Sequence, residues 1–341
     1  MVNYKTVQES NHRIATTFPP GLVAVFVGAT NGIGMYTLRQ FAQYARKPRV
    51  YFIGRSQEAG NRIANECQAV NPEGSFTFIQ ADTSLLANVD EICQRIQSTE
   101  KVINLLFLTQ GTLDFKKETP ERLPLTMALV HYARIRFIHN LLPQLQAAHS
   151  LKRVVSVLAA TKEGEVDVED IDARHVPLHK KQGHTATLAT ISMSVLAERA
   201  PDVSFVHDYP GFVKSGIGRD IPGVVGYAAR GFFAMFAPLL ATPAEESGAY
   251  HLFFATSARY SSKSASESTG GVSLASGVHV ATSVDGVVGG GIYSIDENGE
   301  SASIAVQKLL AKLKKEGVAE KIWTRTEEGW KRVLGEGGPS T

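Results

Sequence analysis

Three glycines in Gly28-Ala29-Thr30-Asn31-Gly32-Ile33-Gly34 stand at a spacing that can offer backbone N–H groups to an anion. Gly28 permits a sharp turn, Gly32 lets a phosphate approach the main chain without a Cβ between them, and Gly34 lets a following helix pack close to the preceding strand. Gly28, Thr30, Asn31, Gly32, Ile33 and Gly34 are therefore candidate phosphate-binding residues, set where a helix N-terminus would face a negative charge. A second group of residues could move protons. His184 is of the side-chain type that can donate or accept a proton near neutral pH, and Lys181 and Tyr209 are further candidates of the right chemical type, with Lys180, Asp208 and Lys214 behind them.

The elements that must position these residues are legible in the apolar pattern. Residues 22–27 form an apolar run suited to a strand buried on both faces, and Met35–Arg46 continues as an amphipathic helix. Arg49–Gly54 reads as a second strand, Gln57–Val70 as a helix, Phe76–Ala81 as a third strand, Val89–Ile96 as part of a third helix and Val102–Thr109 as a fourth strand. A long helical pattern from Leu125 to Ala148 precedes the strand Arg153–Ala159. An acidic loop with Glu163, Glu165, Asp167, Glu169, Asp170 and Asp172 follows, then a helix near Thr185–Arg199 and a strand Ser204–Asp208. Strands alternating with helices imply βαβ units and a parallel sheet covered on both faces. The expected architecture is α/β: one doubly wound, Rossmann-type parallel sheet, with residues 1–211 as its cofactor-binding core and its crevice at the strand C-termini.

Residues 212–341 are expected to supply an apolar substrate cover and the C-terminal completion of the same domain. Phe232, Phe233 and Phe236 suit a cover over an apolar ligand, and equally a packed surface helix or a subunit contact. A late strand, Gly291–Ile295, and helical patterns at Ala305–Lys315 and Thr326–Leu334 close the chain.

Composition narrows the function. A net charge of +2 over 341 residues gives no reason to expect nucleic acid. Cys67 and Cys93, the only two cysteines, form no C-x-x-C, so neither a disulfide framework nor a thiolate metal site is indicated and a reducing, cytoplasmic setting is expected. His175, His179 and His184 are interrupted by Pro177 and show no H-E-x-x-H, so no metal is expected, and no G-x-S-x-G elbow supports a serine hydrolase. The N-terminal segment carries Lys5, Glu9 and Arg13 rather than an apolar signal. The longest uncharged apolar run, Gly231 to Ala244, is about 14 residues, short of the ~20 needed to span a bilayer, although peripheral membrane contact stays open.

The strand, the glycine turn and the G-x-x-x-G-I-G spacing together resemble the short-chain dehydrogenase/reductase family. The acidic insertion before a helix looks most like its retinol-dehydrogenase-type branch. More loosely, the histidine-containing helices resemble a set of fungal members, some linked to specialised metabolism. The resemblance spans about residues 20–215 and implies a nicotinamide dinucleotide. Asp82-Thr83 matches the family's adenine contact, Gln110-Gly111 stands in its Asn-Ala-Gly floor, and Pro210-Gly211 with Ser215 matches the segment beside the nicotinamide. At the end of the second strand, where an acidic residue would bind the ribose 2′-hydroxyl of NAD, the chain has Arg55. A guanidinium there grips a 2′-phosphate with charge-assisted hydrogen bonds, so NADP(H) is the expected cofactor.

The family's proton-transfer residues are missing. Its tyrosine and lysine share one helical face at i and i+4. Aligning Leu188-Ala189-Thr190 with the family's Leu-Ala-Asn puts Gly183 at the tyrosine site and Thr187 at the lysine site. The family serine falls on Ala159, and its helix asparagine on Val130. His184 is then the nearest titratable neighbour of the lost tyrosine.

Three functions are compatible with this pattern. The first is an NADP(H)-dependent reductase acting on an activated lipophilic carbonyl, enone or imine, to which a hydride adds with little acid help. The second is a non-redox isomerase or cyclase on the same fold. The third is an NADP(H)-binding protein without turnover. The reductase is taken first on fold-level analogy.

Overall fold

In a computed structural model, described over residues 2–213, 241–265 and 270–335, seven strands form one parallel sheet in the order β3-β2-β1-β4-β5-β6-β7. The strands are β1 (Val23–Val27), β2 (Arg49–Gly54), β3 (Ser75–Gln80), β4 (Leu105–Leu108), β5 (Arg153–Val157), β6 (Ser204–Asp208) and β7 (Ile292–Ile295). Every residue of β1, β4, β5, β6 and β7 is buried, as strands covered on both faces require. The strand order reverses between β1 and β4. That switch point opens a crevice at the strand C-termini, beside the glycine turn.

Helices cover both faces. On one side lie α1 (Tyr4–His12), α2 (Ile14–Thr17), α3 (Gly32–Tyr44), α4 (Gln57–Val70) and α9 (Ala244–Thr256), around Phe26, Phe41, Phe52 and Phe253. On the other lie α5 (Leu86–Thr99), α6 (Leu125–Met127), α7 (Ala133–Gln146), α8 (Leu178–Arg199), α10 (Ile304–Lys315) and α11 (Val318–Leu334), around Leu106, Phe137, Leu188 and Trp323. The expected class, one doubly wound parallel sheet between helical layers, is the observed one. The cover expected from Phe232, Phe233 and Phe236 falls on residues outside those described.

Three features position the site. A π-helical turn, Ala128–Tyr132, joins α6 to α7 where a continuous helix was expected. It aims His131 at Thr326 of α11 (2.9 Å) and Tyr132 at Asp172 of the acidic loop (2.6 Å). Helix α9 lies directly on α3, close enough that a Cβ on Gly248 would stand 2.7 Å from the Tyr36 carbonyl oxygen. Its His251 Nε2 is 2.8 Å from the wholly buried carboxylate of Asp208 at the end of β6. Among the described residues no helix is long and apolar enough to cross a membrane.

Candidate active site

The glycine turn is built to exclude side chains. Gly28 has φ +86°, and a Cβ there would meet the Gln110 amide nitrogen at 2.7 Å. A Cβ on Gly34 would meet the Thr109 hydroxyl at 2.6 Å and the Gly28 carbonyl at 2.9 Å. Gly32 takes φ +58°, a left-handed conformation that glycine adopts at little cost. Thr109 stitches the end of β4 to this turn: its hydroxyl donates to the carbonyls of Val27 and Gly28, both at 3.1 Å. Thr30 packs against Gly54 of β2, and Ile33 is buried. Asn31 caps α3 in extended backbone, and its side chain makes no capping hydrogen bond to the first-turn N–H groups.

Toward β2 and β3 the crevice carries Arg55 and Asp82, both exposed. The Arg55 carbonyl accepts from Gln80 Nε2 (3.0 Å), and the next residue, Ser56, caps α4 through the Ala59 N–H (3.2 Å). Asp82 Oδ1 accepts from the Ser84 N–H at 3.0 Å, and Thr83 is buried.

Toward β4 and β5 lies a group that sequence reasoning did not reach. Arg134 of α7 is wholly buried beneath the strand ends. Its Nη1 donates to Ser156 Oγ (2.9 Å) and to the carbonyls of Val157 (2.8 Å) and Leu108 (3.3 Å), and its Nε and Nη2 to the Gln110 carbonyl. Burial lowers its pKa to about 9, which leaves it a cation at neutral pH. Gln110 is buried too. Both atoms of its side-chain amide lack a hydrogen-bond partner among the described residues, an orphaned donor and acceptor on the crevice floor. Gly111 is next to it, with Val130 and Arg134 the neighbours a Cβ would meet.

The face of α8 that carries Gly183 and Thr187 is sealed by the acidic loop. A Cβ on Gly183 would stand 3.1 Å from the Gly164 Cα. The Gly164 N–H donates to the Thr187 hydroxyl (3.0 Å), which in turn donates to the Gly164 carbonyl (2.7 Å). One turn further, Glu163 is drawn into the core. Its Oε1 accepts from Thr190 (2.8 Å) and Ser294 (2.6 Å). His207 Nε2 accepts from the Ala159 N–H (3.3 Å), so its proton sits on Nδ1 and points at Thr190 Oγ1, 2.7 Å away. Burial opposes ionisation of Glu163, but the nearby His207 ring, with the Ser294 and Thr190 hydroxyls, outweighs it and holds the carboxyl below its usual range. These partners come from β6, β7 and α8, so no local pattern in the sequence could have assembled them.

Of the proton-transfer candidates, Lys181 and His184 stand three residues apart on α8, and Tyr209 follows β6. His184 is buried, its Nδ1 accepting from the Asp167 N–H at 3.3 Å. Burial lowers its pKa, and its charge also weighs on His131, whose own pKa burial takes down to about 3. Lys181 donates to the Ala173 carbonyl (2.7 Å) and lies over the Phe115 ring, in the wall of a cavity of about 140 Å³ shared with Met127 and Arg174. Tyr209, half-buried at the end of β6, carries the Lys162 ammonium 4.7 Å from its ring centre. Pro210 and Gly211 follow, Gly211 with φ +64°, while Lys214 and Ser215 lie outside the described residues. His175 and His179 are exposed, whereas His184 is buried.

Comparison with known proteins agrees with this architecture. Residues 22–163 match the short chain dehydrogenase family. The chain is similar to the oxidoreductase AN1596 of Emericella nidulans, with 38% identity across 96% of this chain and 97% of that protein. It is also similar to the oxidoreductase andH of Emericella variicolor, with 35% identity across 94% of each. Among solved structures, L-sorbose reductase of Gluconobacter frateurii, complexed with NADPH and L-sorbose, superposes with a TM-score of 0.52 at 15% identity, covering 76% of this chain and 95% of that one. A parallel sheet reversing at β1 and β4, a glycine turn stitched to β4, and near full-length similarity to oxidoreductases place this chain in the short-chain dehydrogenase/reductase family.

Proposed function

We propose that the protein is an NADP(H)-dependent reductase of an activated lipophilic carbonyl, enone or imine, working without the family's usual side-chain acid. The observation that carries the reading is the pairing of a tight glycine turn, whose helix N-terminus has no side-chain cap, with a closed α8 face. At the turn, Cβ atoms at Gly28 and Gly34 would collide with the end of β4 and with the turn itself, and Asn31 leaves the first-turn N–H groups of α3 uncapped by its side chain. On α8, Gly164 lies against Gly183 and bonds to Thr187.

The residues present fit the nucleotide. Gly32, Ile33 and Gly34 would hold the pyrophosphate through main-chain N–H groups, with Thr30 and Asn31 beside them. Arg55 would hold the 2′-phosphate, and Asp82 and Thr83 the adenine. Gln110, Gly111, Pro210 and Gly211 would frame the nicotinamide half, where the Gln110 amide has both a donor and an acceptor to offer. When bound in reduced form, the cofactor supplies a hydride.

The chain's own residues then orient and enclose the acceptor rather than protonate it. Gly183 and Thr187 present no acid, and His184 is turned toward Asp167. An iminium carbon or the β-carbon of an enone takes a hydride without simultaneous proton transfer, so such substrates suit a site of this kind. The phenylalanines at 232, 233 and 236 support a lipophilic acceptor. A cytoplasmic setting, and residues 212–341 as cover and completion of the same domain, belong to this proposal.

The test is a titration with NADPH and with NADH, followed by absorbance of bound NADPH during addition of lipophilic enones and imines. Tight NADPH binding with oxidation is expected. Binding without oxidation by any acceptor would turn the assignment to isomerisation or cyclisation.

A further inference from the structure

Arg134 is a buried cation whose donors all end on neutral acceptors. Among the described residues its partners are the carbonyls of Leu108, Gln110 and Val157 and the hydroxyl of Ser156, with no carboxylate. Buried charges are ordinarily paired with an opposite charge, because desolvation without compensation is costly. Here the protein keeps the charge and answers it only with dipoles.

Its location gives the charge a target. Arg134 lies under the C-terminal ends of β4 and β5. The turn after β1 addresses the pyrophosphate, and β2 faces the adenosine side, which leaves the β4–β5 side for the nicotinamide. A Cβ on Gly111 would stand 3.6 Å from Val130 Cγ1 and 3.8 Å from Arg134 Nη2, so the guanidinium lies directly beside the Gln110-Gly111 main chain.

We propose that Arg134 is a specificity-determining residue that makes the nicotinamide half of the crevice favour the reduced nucleotide, whose ring is neutral, over the oxidised nucleotide, whose ring is cationic. The inference rests on the nucleotide-binding reading above. A fixed cation in a dry floor raises the free energy of a second cation nearby and leaves a neutral ring untouched. At a separation of about 10 Å and an effective dielectric of about 20, two unit charges differ from a charge beside a neutral group by on the order of ten-fold in affinity. The 2′-phosphate and pyrophosphate are common to both forms, so the comparison isolates the ring. The chain would then stay loaded with hydride donor at equal concentrations of the two forms.

The experiment measures dissociation constants for NADPH and NADP⁺ by calorimetry, without substrate, for the wild type, Arg134→Met and Arg134→Lys. The wild type should bind NADPH about ten-fold or more tightly than NADP⁺. Arg134→Met should bring the two within about two-fold, mainly by strengthening NADP⁺ relative to NADPH, while Arg134→Lys keeps most of the preference. Equal affinities in the wild type overturn the inference even if Arg134→Met fails to fold, and so does an unchanged ratio in a folded Arg134→Met. A wild type that binds neither nucleotide overturns the nucleotide reading itself, a separate result.

Discussion

Gly164 and Gly183 meet main chain to main chain: a Cβ on Gly183 would lie 3.1 Å from the Gly164 Cα, and the Gly164 N–H approaches the Gly183 carbonyl at 3.3 Å. The acidic loop therefore occupies the space into which a side chain at that turn of α8 would project. Thr187 and Thr190, one and two turns on, bind the same loop through Gly164 and Glu163.

Restoring the family's residues should consequently harm the protein. Gly183→Tyr with Thr187→Lys must displace the loop and strip Gly164 of its hydroxyl partner. Overpacking of this kind costs about 1–3 kcal/mol, and the lost hydrogen bonds about 1 kcal/mol more. Urea unfolding should show a loss of about 2–4 kcal/mol. A double variant as stable as the wild type, with new ketone reductase activity, would show that the face is open.

The buried histidines make stability sensitive to acid. Burial holds the pKa of His131 at about 3, with the charge of His184 adding to the effect, and burial lowers that of His184 as well. In the unfolded chain both take protons near pH 6.5. Below that pH the unfolded state binds more protons than the native state, so stability is complete above about pH 6.5 and falls as the pH drops toward 3. Between pH 6.5 and 5, before most carboxylates titrate, the fall should approach about 1.4 kcal/mol per pH unit for each histidine that stays neutral. Urea midpoints measured across that window check this. A flat profile would mean that the rings are protonated in the native state.

Arg55 should decide between the two nucleotides. Arg55→Glu replaces a charge-assisted donor with a repelling carboxylate at the place expected for the 2′-phosphate. A hydrogen bond to a charged group is worth about 1.5–3 kcal/mol, so NADPH affinity should fall about 10- to 100-fold while NADH affinity is kept or improved. Fluorescence titration of both nucleotides tests it. Equal losses for the two would remove Arg55 from the phosphate site.

What the sequence discloses depends on how local the cause is. Arg49–Gly54, Gln57–Val70 and Ser204–Asp208 form the elements their apolar spacing predicts, residue for residue. The fourth strand, Leu105–Leu108, is shorter than Val102–Thr109: Asn104 still bonds Val23 and Arg153 through its main chain, while its side chain accepts from the Val23 N–H (2.9 Å) and donates to the Leu151 carbonyl (3.1 Å). Helix α8 begins at Leu178 rather than near Thr185, since Pro177 stands at its N-cap and the polar first turns hide the apolar period. Helix α1 is too polar to announce itself, and α9 is buried on so many sides that it has no stripe to detect.

The candidate site divides the same way. The glycine turn and Arg55 are proposed from contiguous motifs. Arg134, Glu163 and His207 acquire their meaning from strand ends and loops far away in sequence, so only the fold reveals them. His184 shows the converse: its type suggests chemistry, and its surroundings give it the Asp167 N–H as partner and a neighbouring His131.

Hydride transfer without a side-chain acid is tested with NADPH deuterated at the transferable C4 position and N-methyl-3,4-dihydroisoquinolinium, an iminium that needs no proton to be reduced. Stoichiometric NADPH oxidation and one deuterium at the former iminium carbon are expected, with a rate that His184→Gln leaves within about three-fold. Bound NADPH that is never oxidised by this or any other activated acceptor, or product lacking the label, would overturn acid-free hydride transfer in this chain.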